Sequence, residues 1–378
     1  TLNFDMEAIR VAMSRSFWVL QRTPDTFPSY LNDIAQSMME YVADISRERV
    51  RFRRSPSGYA PTQPVESPRG SKDAFYIKVD KHYGSSDHVT YMQHGIPAVM
   101  FITWPDMWYH SSEDTPDKQD ATQYKRAAVV ALGGIAVLST GTDEMAARVV
   151  NDNLGRGLSR MGESHTKGLG YMADATAGSL TQAYKDARIS ILHQATIEKA
   201  VVRSASVLWT NVDDGKKKVA AFEPLIDQRA GSLLNEMKAA YQLQATQRGV
   251  PAAEPVVTAE EKEAAALVVE QVAGAGGGGR GGRGGGAAGG PPGAAGPPGA
   301  AGGPPGGGRG AGGGRGGATG PSLPDEFNAE LGLLIGKKLT ALQIRDFLSG
   351  EFTPLPLADV MAVLRARETA GTIKLVPR

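Results

Sequence analysis

The 378-residue chain contains no cysteine, which excludes disulfides, thiolate metal sites and cysteine nucleophiles together. That absence leaves the compartment open, because exported proteins can also lack cysteine. Net charge is nearly absent as well. Lysine and arginine total 41 against 40 aspartates and glutamates, so no global field draws the chain to nucleic acid or to an anionic membrane. No apolar run reaches the roughly 18 residues of a membrane span. The longest, about 127–138, is interrupted by glycines. No signal peptide is visible, but residue 1 is threonine, and the natural chain is expected to begin further upstream.

The length suits two or three domains. Residues 1–6 (TLNFDM) alternate like a strand end, with Leu2 and Phe4 on one face and Asn3 and Asp5 on the other. Apolar residues at Leu31, Ile34, Met38, Tyr41, Val42 and Ile45 keep helical spacing. Residues 51–72 read as a surface loop, 75–79 as a short strand, and 97–103 as a strand buried on both faces. A short helix is expected over 87–94, with Ser86 or Asp87 as N-cap and Gly95 as its stop. Asp120 followed by Gln123 predicts a capping-box-like start to a helix reaching about Leu138. Strands alternating with helices indicate an α/β layered sheet.

Composition changes after Gly141. Residues 144–273 carry long alanine-rich helical patterns, notably 190–207 and 219–247, with Gly215 and Lys216 to Lys218 expected as an exposed turn. Residues 274–321 are nearly all Gly, Pro and Ala and cannot bury a core. Arg280 and Arg283 stand in Arg-Gly-Gly steps, yet no aromatic lies near to stack on bases. A brief glycine-every-third rhythm is broken by Gly303, so a flexible linker is the reading. Residues 322–378 predict a small, mainly helical module, either winged-helix-like, a docking unit, or a cap on the helical domain.

Residues 84–115 (GSSDHVTYMQHGIPAVMFITWPDMWYHSSEDT) hold most of the chemistry-bearing motifs. Asp5 ends a strand and His110 follows another, and in open α/β sheets ligands gather at such carboxyl ends. A carboxylate and an imidazole are ordinary zinc ligands. Taken alone, Asp5 reads as a turn or helix cap and His110 as a surface-loop histidine. His94 reads as a helix-end histidine; His82, His165 and His193 read as surface or packing residues. Trp104, Met107 and Trp108 suggest an apolar pocket rim.

The order Asn3-Phe4-Asp5-Met6, Ser86-Asp87-His88, Gly95-Ile96-Pro97-Ala98, Tyr109-His110 and Asp114-Thr115 resembles the two-zinc peptidases of clan MH, peptidase family twenty-eight. That family includes aminopeptidase S and glutamate carboxypeptidase II. The resemblance covers about residues 1–143. It implies a mixed-sheet α/β zinc-peptidase domain, of which this chain holds the C-terminal half. It further implies Asp5 and His110 as zinc ligands and Tyr109 as the hydrogen-bond donor to the scissile carbonyl oxygen as that oxygen becomes an oxyanion. Asp87 and His88 are either groups that orient ligands or a helix cap and a buried histidine. Asp114 and Thr115 are expected to shape the loop presenting His110.

What the resemblance implies is a zinc-dependent exopeptidase of aminopeptidase type with two Zn2+ ions that activate a water. Its partner would be a peptide, not nucleic acid or membrane, and its location extracytoplasmic. The sequence departs from the family in one large respect. The expected His-x-Asp and the Glu-Glu pair before the Asp5 strand are missing; the single Glu-Glu, Glu260-Glu261, lies in the wrong place and reads as a solvated helix start. Two of five metal-binding side chains are present and the general base is not, so this chain alone is expected to be inactive. Glu7 and Ala8 also replace the usual small residue and glycine; Glu7 either tunes an amine subsite or points to solvent. The competing reading is a noncatalytic scaffold that works through the linker and terminal module.

Overall fold

The computed structural model describes residues 1–52, 64–81, 86–272 and 321–378. His82 and, apart from Pro321, the expected linker lie outside the described residues. The first unit runs β1 (Leu2–Asp5), α1 (Val11–Ser14), β2 (Phe17–Gln21), α2 (Leu31–Phe52), β3 (Ile77–Asp80), α3 (His88–Gln93), β4 (Val99–Trp104) and α4 (Ala121–Thr140). Its sheet has the order β1-β4-β2-β3. β1 is parallel to β4 and β2 to β3, while β2 and β4 are antiparallel. The fold is therefore mixed α/β with a mixed sheet.

Strand β4 is buried along both faces because it sits between β1 and β2, which is why its sequence is a continuous apolar run. On one face Phe4, Phe101 and Trp18 stack across three neighbouring strands, with ring centroids 4.9 and 4.7 Å apart. Helices α2 and α4 close over that row with Leu31, Ala35, Met39, Ala127 and Val130. Fully burying a Leu, Met or Val side chain stabilises by about 1.5–3 kcal/mol. Strand β2 was not expected from the sequence. Asp120 does cap α4, accepting from Thr122 N at 3.0 Å, but Gln123 is buried and its amide bonds to no described group, so there is no capping box.

Helices α5 (Asp143–Asp174), α6 (Leu180–Ser204), α7 (Val212–Ala220) and α8 (Glu223–Gln247) share one core, with Tyr184 and Tyr241 stacked at 4.3 Å. Gly215 and Lys216 to Lys218 lie within α7 rather than in a turn. Gly215 is needed for a close approach: a Cβ there would lie 2.4 Å from the Ser206 carbonyl oxygen.

The terminal unit contains α9 (Ala259–Ala265), β5 (Leu267–Gln271), α10 (Asp325–Ile335), α11 (Ala341–Glu351), α12 (Leu357–Thr369) and β6 (Ile373–Pro377). β5 pairs antiparallel with β6, and Ala264 and Val269 belong to the same core as Leu331, Ile344 and Leu364. Packing therefore places α9 and β5 with the terminal module, not with the helical domain expected over 144–273. Residues 273–320 join two parts of one core. Glu261 is correspondingly buried, at 5% exposure, where a solvated helix start was expected. It closes a capping box with Thr258 and pairs with Lys185 and Arg345.

The three units meet around the loop between β2 and α2. Asp25 contacts His193 of α6 at 2.9 Å and Lys81 at 3.0 Å. Thr26 N donates to Glu330 of α10 at 2.8 Å, and Lys337 donates to the Thr26 carbonyl oxygen at 2.9 Å. His193 is thus an interface residue held by a carboxylate, more than the packing role expected of it.

Candidate active site

The parallel pair β1 and β4 ends on one side of the sheet, with Asp5 registered opposite Ile102. A cavity of about 540 Å³ opens there, lined by Asp5, Met6, Glu7, Trp104, Tyr109 and His110, with Asp106 and Asp114 beside them. The loop after β4 is shaped by its own polar groups. Asp106 accepts from Trp108 N at 2.9 Å, and the Ser111 hydroxyl donates to the Trp108 carbonyl oxygen at 2.7 Å. This turn leaves His110 in the left-handed region at φ 54°, its ring stacked on Tyr109 at 3.7 Å. Tyr109 in turn meets the Trp104 ring edge-on at 5.5 Å.

Met6, on the other wall, is also left-handed, at φ 56°. Two non-glycine residues in this sparsely populated region therefore border one cavity, which is where backbone strain tends to be retained. Glu7 stabilises the turn. It accepts the Asp5 N–H at 3.1 Å and the indole N–H of the fully buried Trp18. Burial pushes the Glu7 carboxyl up to about 8, against the lowering effect of those two hydrogen bonds. The structure thus turns Glu7 inward. Asp106 was not singled out from sequence. It is buried, its Oδ2 bonds to no described group, and its carboxyl is raised mainly by desolvation.

Not every expected residue reaches the cavity. Asp87, His88 and Thr115 are absent from its lining. Asp87 occupies the N-cap position of α3 but makes no side-chain cap hydrogen bond there, and His88 is fully buried. Ser86 instead accepts from Asn3 Nδ2 at 2.9 Å, tying the Ser-Asp-His motif to β1. Of the three expected rim residues, only Trp104 lines the cavity. His94 places its Nδ1 2.8 Å from the Thr90 carbonyl oxygen, as a helix-end histidine does.

Zinc ordinarily takes four ligands, three of them protein side chains in catalytic sites. Among the described residues, no group of three or more His, Asp or Glu side chains is placed to hold one ion. Asp5 and His110 are suitable donor types on one cavity, but the residues present do not complete a metal centre.

Residues 59–134 match a known family of peptidases. The members of the matched family are metallopeptidases, generally zinc-dependent. That family is peptidase family M28; the match covers about a fifth of the chain and takes in β3, α3, β4 and the Tyr109-His110 loop. Asp5 lies outside it. No curated protein and no solved structure matches the chain.

Proposed function

We propose that the chain forms part of a zinc-dependent exopeptidase of aminopeptidase type, with two zinc ions in the completed site. One observation carries this reading: Asp5, outside the M28 segment, and His110, within it, line the same cavity. Asp5 and His110 are the metal-ligand candidates. Tyr109, fixed between Trp104 and His110, is the candidate donor to an oxyanion. The other ligands and the general base come from residues this chain does not bring to the cavity. The substrate is a peptide, and neither nucleic acid nor a membrane is a partner, in keeping with the balanced charge. An extracytoplasmic location follows from the family resemblance.

Zinc stoichiometry and hydrolysis of aminoacyl anilides test this directly. The chain alone should bind no zinc tightly and cleave nothing. Joined to upstream sequence carrying His-x-Asp and Glu-Glu, it should bind two zinc ions and hydrolyse the substrate. In that longer protein His110→Ala should abolish hydrolysis and reduce bound zinc towards one. Full activity in His110→Ala, or stoichiometric zinc on this chain alone, overturns the assignment.

A further inference from the structure

The sheet has two productive ends. Because β2 and β3 are antiparallel to the β1–β4 pair, their carboxyl ends open on the side opposite the candidate active site. Gln21 is registered with Asp80, so the next residues, Arg22 and Lys81, follow those ends side by side. Helix α5 passes over them with Arg156 and Arg160, leaving a cavity of about 460 Å³. Carboxyl ends of parallel strands are where open α/β sheets place ligands.

The cations around this cavity differ in how they are paired. Arg160 donates to both Asp33 and Glu198 through four hydrogen bonds of 2.6–3.1 Å. Arg156 donates to Glu40 at 2.8 Å and to Asp152 at 3.2 Å. Arg22 is different. Its one ion pair among the described residues is with Asp33 Oδ1 at 3.7 Å, beyond hydrogen-bonding reach. Both Asp33 oxygens already accept from Arg160, and Oδ2 also from Asn153. Yet the Arg22 side chain is only 17% exposed. Burial, and then the like charge of Arg160, disfavour its protonated form. A guanidinium carries five donors in a fixed fork, and that of Arg22 faces the cavity with its only ion pair at 3.7 Å among the described residues.

We propose that this cavity is a binding site for a small ligand bearing one carboxylate or phosphate group, held by the Arg22 fork, its neighbours Lys81 and Arg156 being already paired with carboxylates. Asp80 and Glu163 also line the cavity, so a polyanion is disfavoured and a single oxyanion is the fitting charge. The site is independent of the peptidase reading and shares no residue with the active-site cavity. Because its wall is built from Arg22 after β2 and from α2, β3 and α5, occupancy ties the sheet to the helical unit.

Titration of the whole chain with inorganic phosphate, and separately with acetate, at constant ionic strength tests the proposal by thermal shift and calorimetry. At least one oxyanion should give a saturable rise in Tm, and the comparison shows which chemistry is preferred. Arg22→Met should weaken the apparent affinity by at least about tenfold. Arg22→Lys, which keeps the charge and loses the fork, should recover only part of it. In the wild type the Arg22 Nε–H resonance should move with the titration, which locates the site without any variant. Absence of a saturable response to both ions, an unmoved Arg22 resonance, or equal affinity in Arg22→Met overturns the proposal.

Discussion

Replacing a carboxylate in the buried charge cluster by its amide should stabilise the protein. Glu351, at the end of α11, has a side chain only 1% exposed, with Lys81 Nζ at 3.6 Å as its ion-pair partner. Its Oε2 bonds to no described group. Asp25 and Glu330 add negative charge from the β2–α2 loop and α10, while Lys81 supplies the opposing charge. Burial first, and repulsion from Asp25 second, push the Glu351 carboxyl from 4.5 up to about 9. At pH 7 the unfolded chain would release this proton while the folded chain keeps it. That difference spans 2.5 pH units, and at about 1.4 kcal/mol per unit it disfavours folding by roughly 3 kcal/mol. Glu351→Gln keeps the shape and removes the titration, so it should raise stability by about that amount at pH 7. The gain should shrink to near zero as pH falls to 4.5, grow up to about pH 9, and then level. Glu330, raised to about 7 mainly by burial, has the same sign: its contribution is full below 4.5 and is lost as pH rises through about 7. Asp25, held down by Lys81 and His193 against its own burial, acts oppositely, and its contribution fails only on acidification. Hydrogen exchange of the β5–β6 amides in urea, from pH 5 to 9.5, measures the module directly. Loss of stability in Glu351→Gln at pH 7, or parallel pH profiles for variant and wild type, would refute the reasoning.

Two other perturbations act on single contacts. Glu261→Gln leaves the half-buried Lys185 without its carboxylate and buried Arg345 with Asp346 alone, and should destabilise the terminal core by about 1–3 kcal/mol, read by the same exchange protection. Burial alone would raise the Glu261 carboxyl, but bonds from Lys185, Thr258 and Arg345 hold it down to about 2; its contribution is present above 4.5 and is lost as pH falls from there through about 2. Asp120→Ala removes the cap of α4 and two bonds to Ser71, both at 2.7 Å, and should cost about 2 kcal/mol in urea unfolding followed by tryptophan fluorescence.

What could be read from the sequence follows the range of the interaction behind each feature. Strand β4, the Asp120 cap and the Tyr109-His110 loop are encoded by neighbouring residues, and local patterns located them. Strand β2 escaped because only its pairing on both sides, with β3 and β4, makes Phe17–Gln21 a strand. That missed strand hid more than itself. Without β2 there is no second pair of parallel carboxyl ends, so Arg22 and Lys81 could not be seen as neighbours. Likewise, Glu261 looks solvated until Arg345, 84 residues away, is folded against it. Glu7 reads equally as a subsite carboxylate or a solvated one until Trp18, 11 residues on, turns its indole N–H towards it. Asp5 and His110 are paired in the sequence by their places after two strands and by motif order, through resemblance, and the β1–β4 register puts them on one cavity. The same register shows why they are insufficient together. β1 hydrogen-bonds to a described strand on one side only, so just one neighbouring strand delivers ligand-type side chains to the cavity. A two-metal site needs donors from more directions than that.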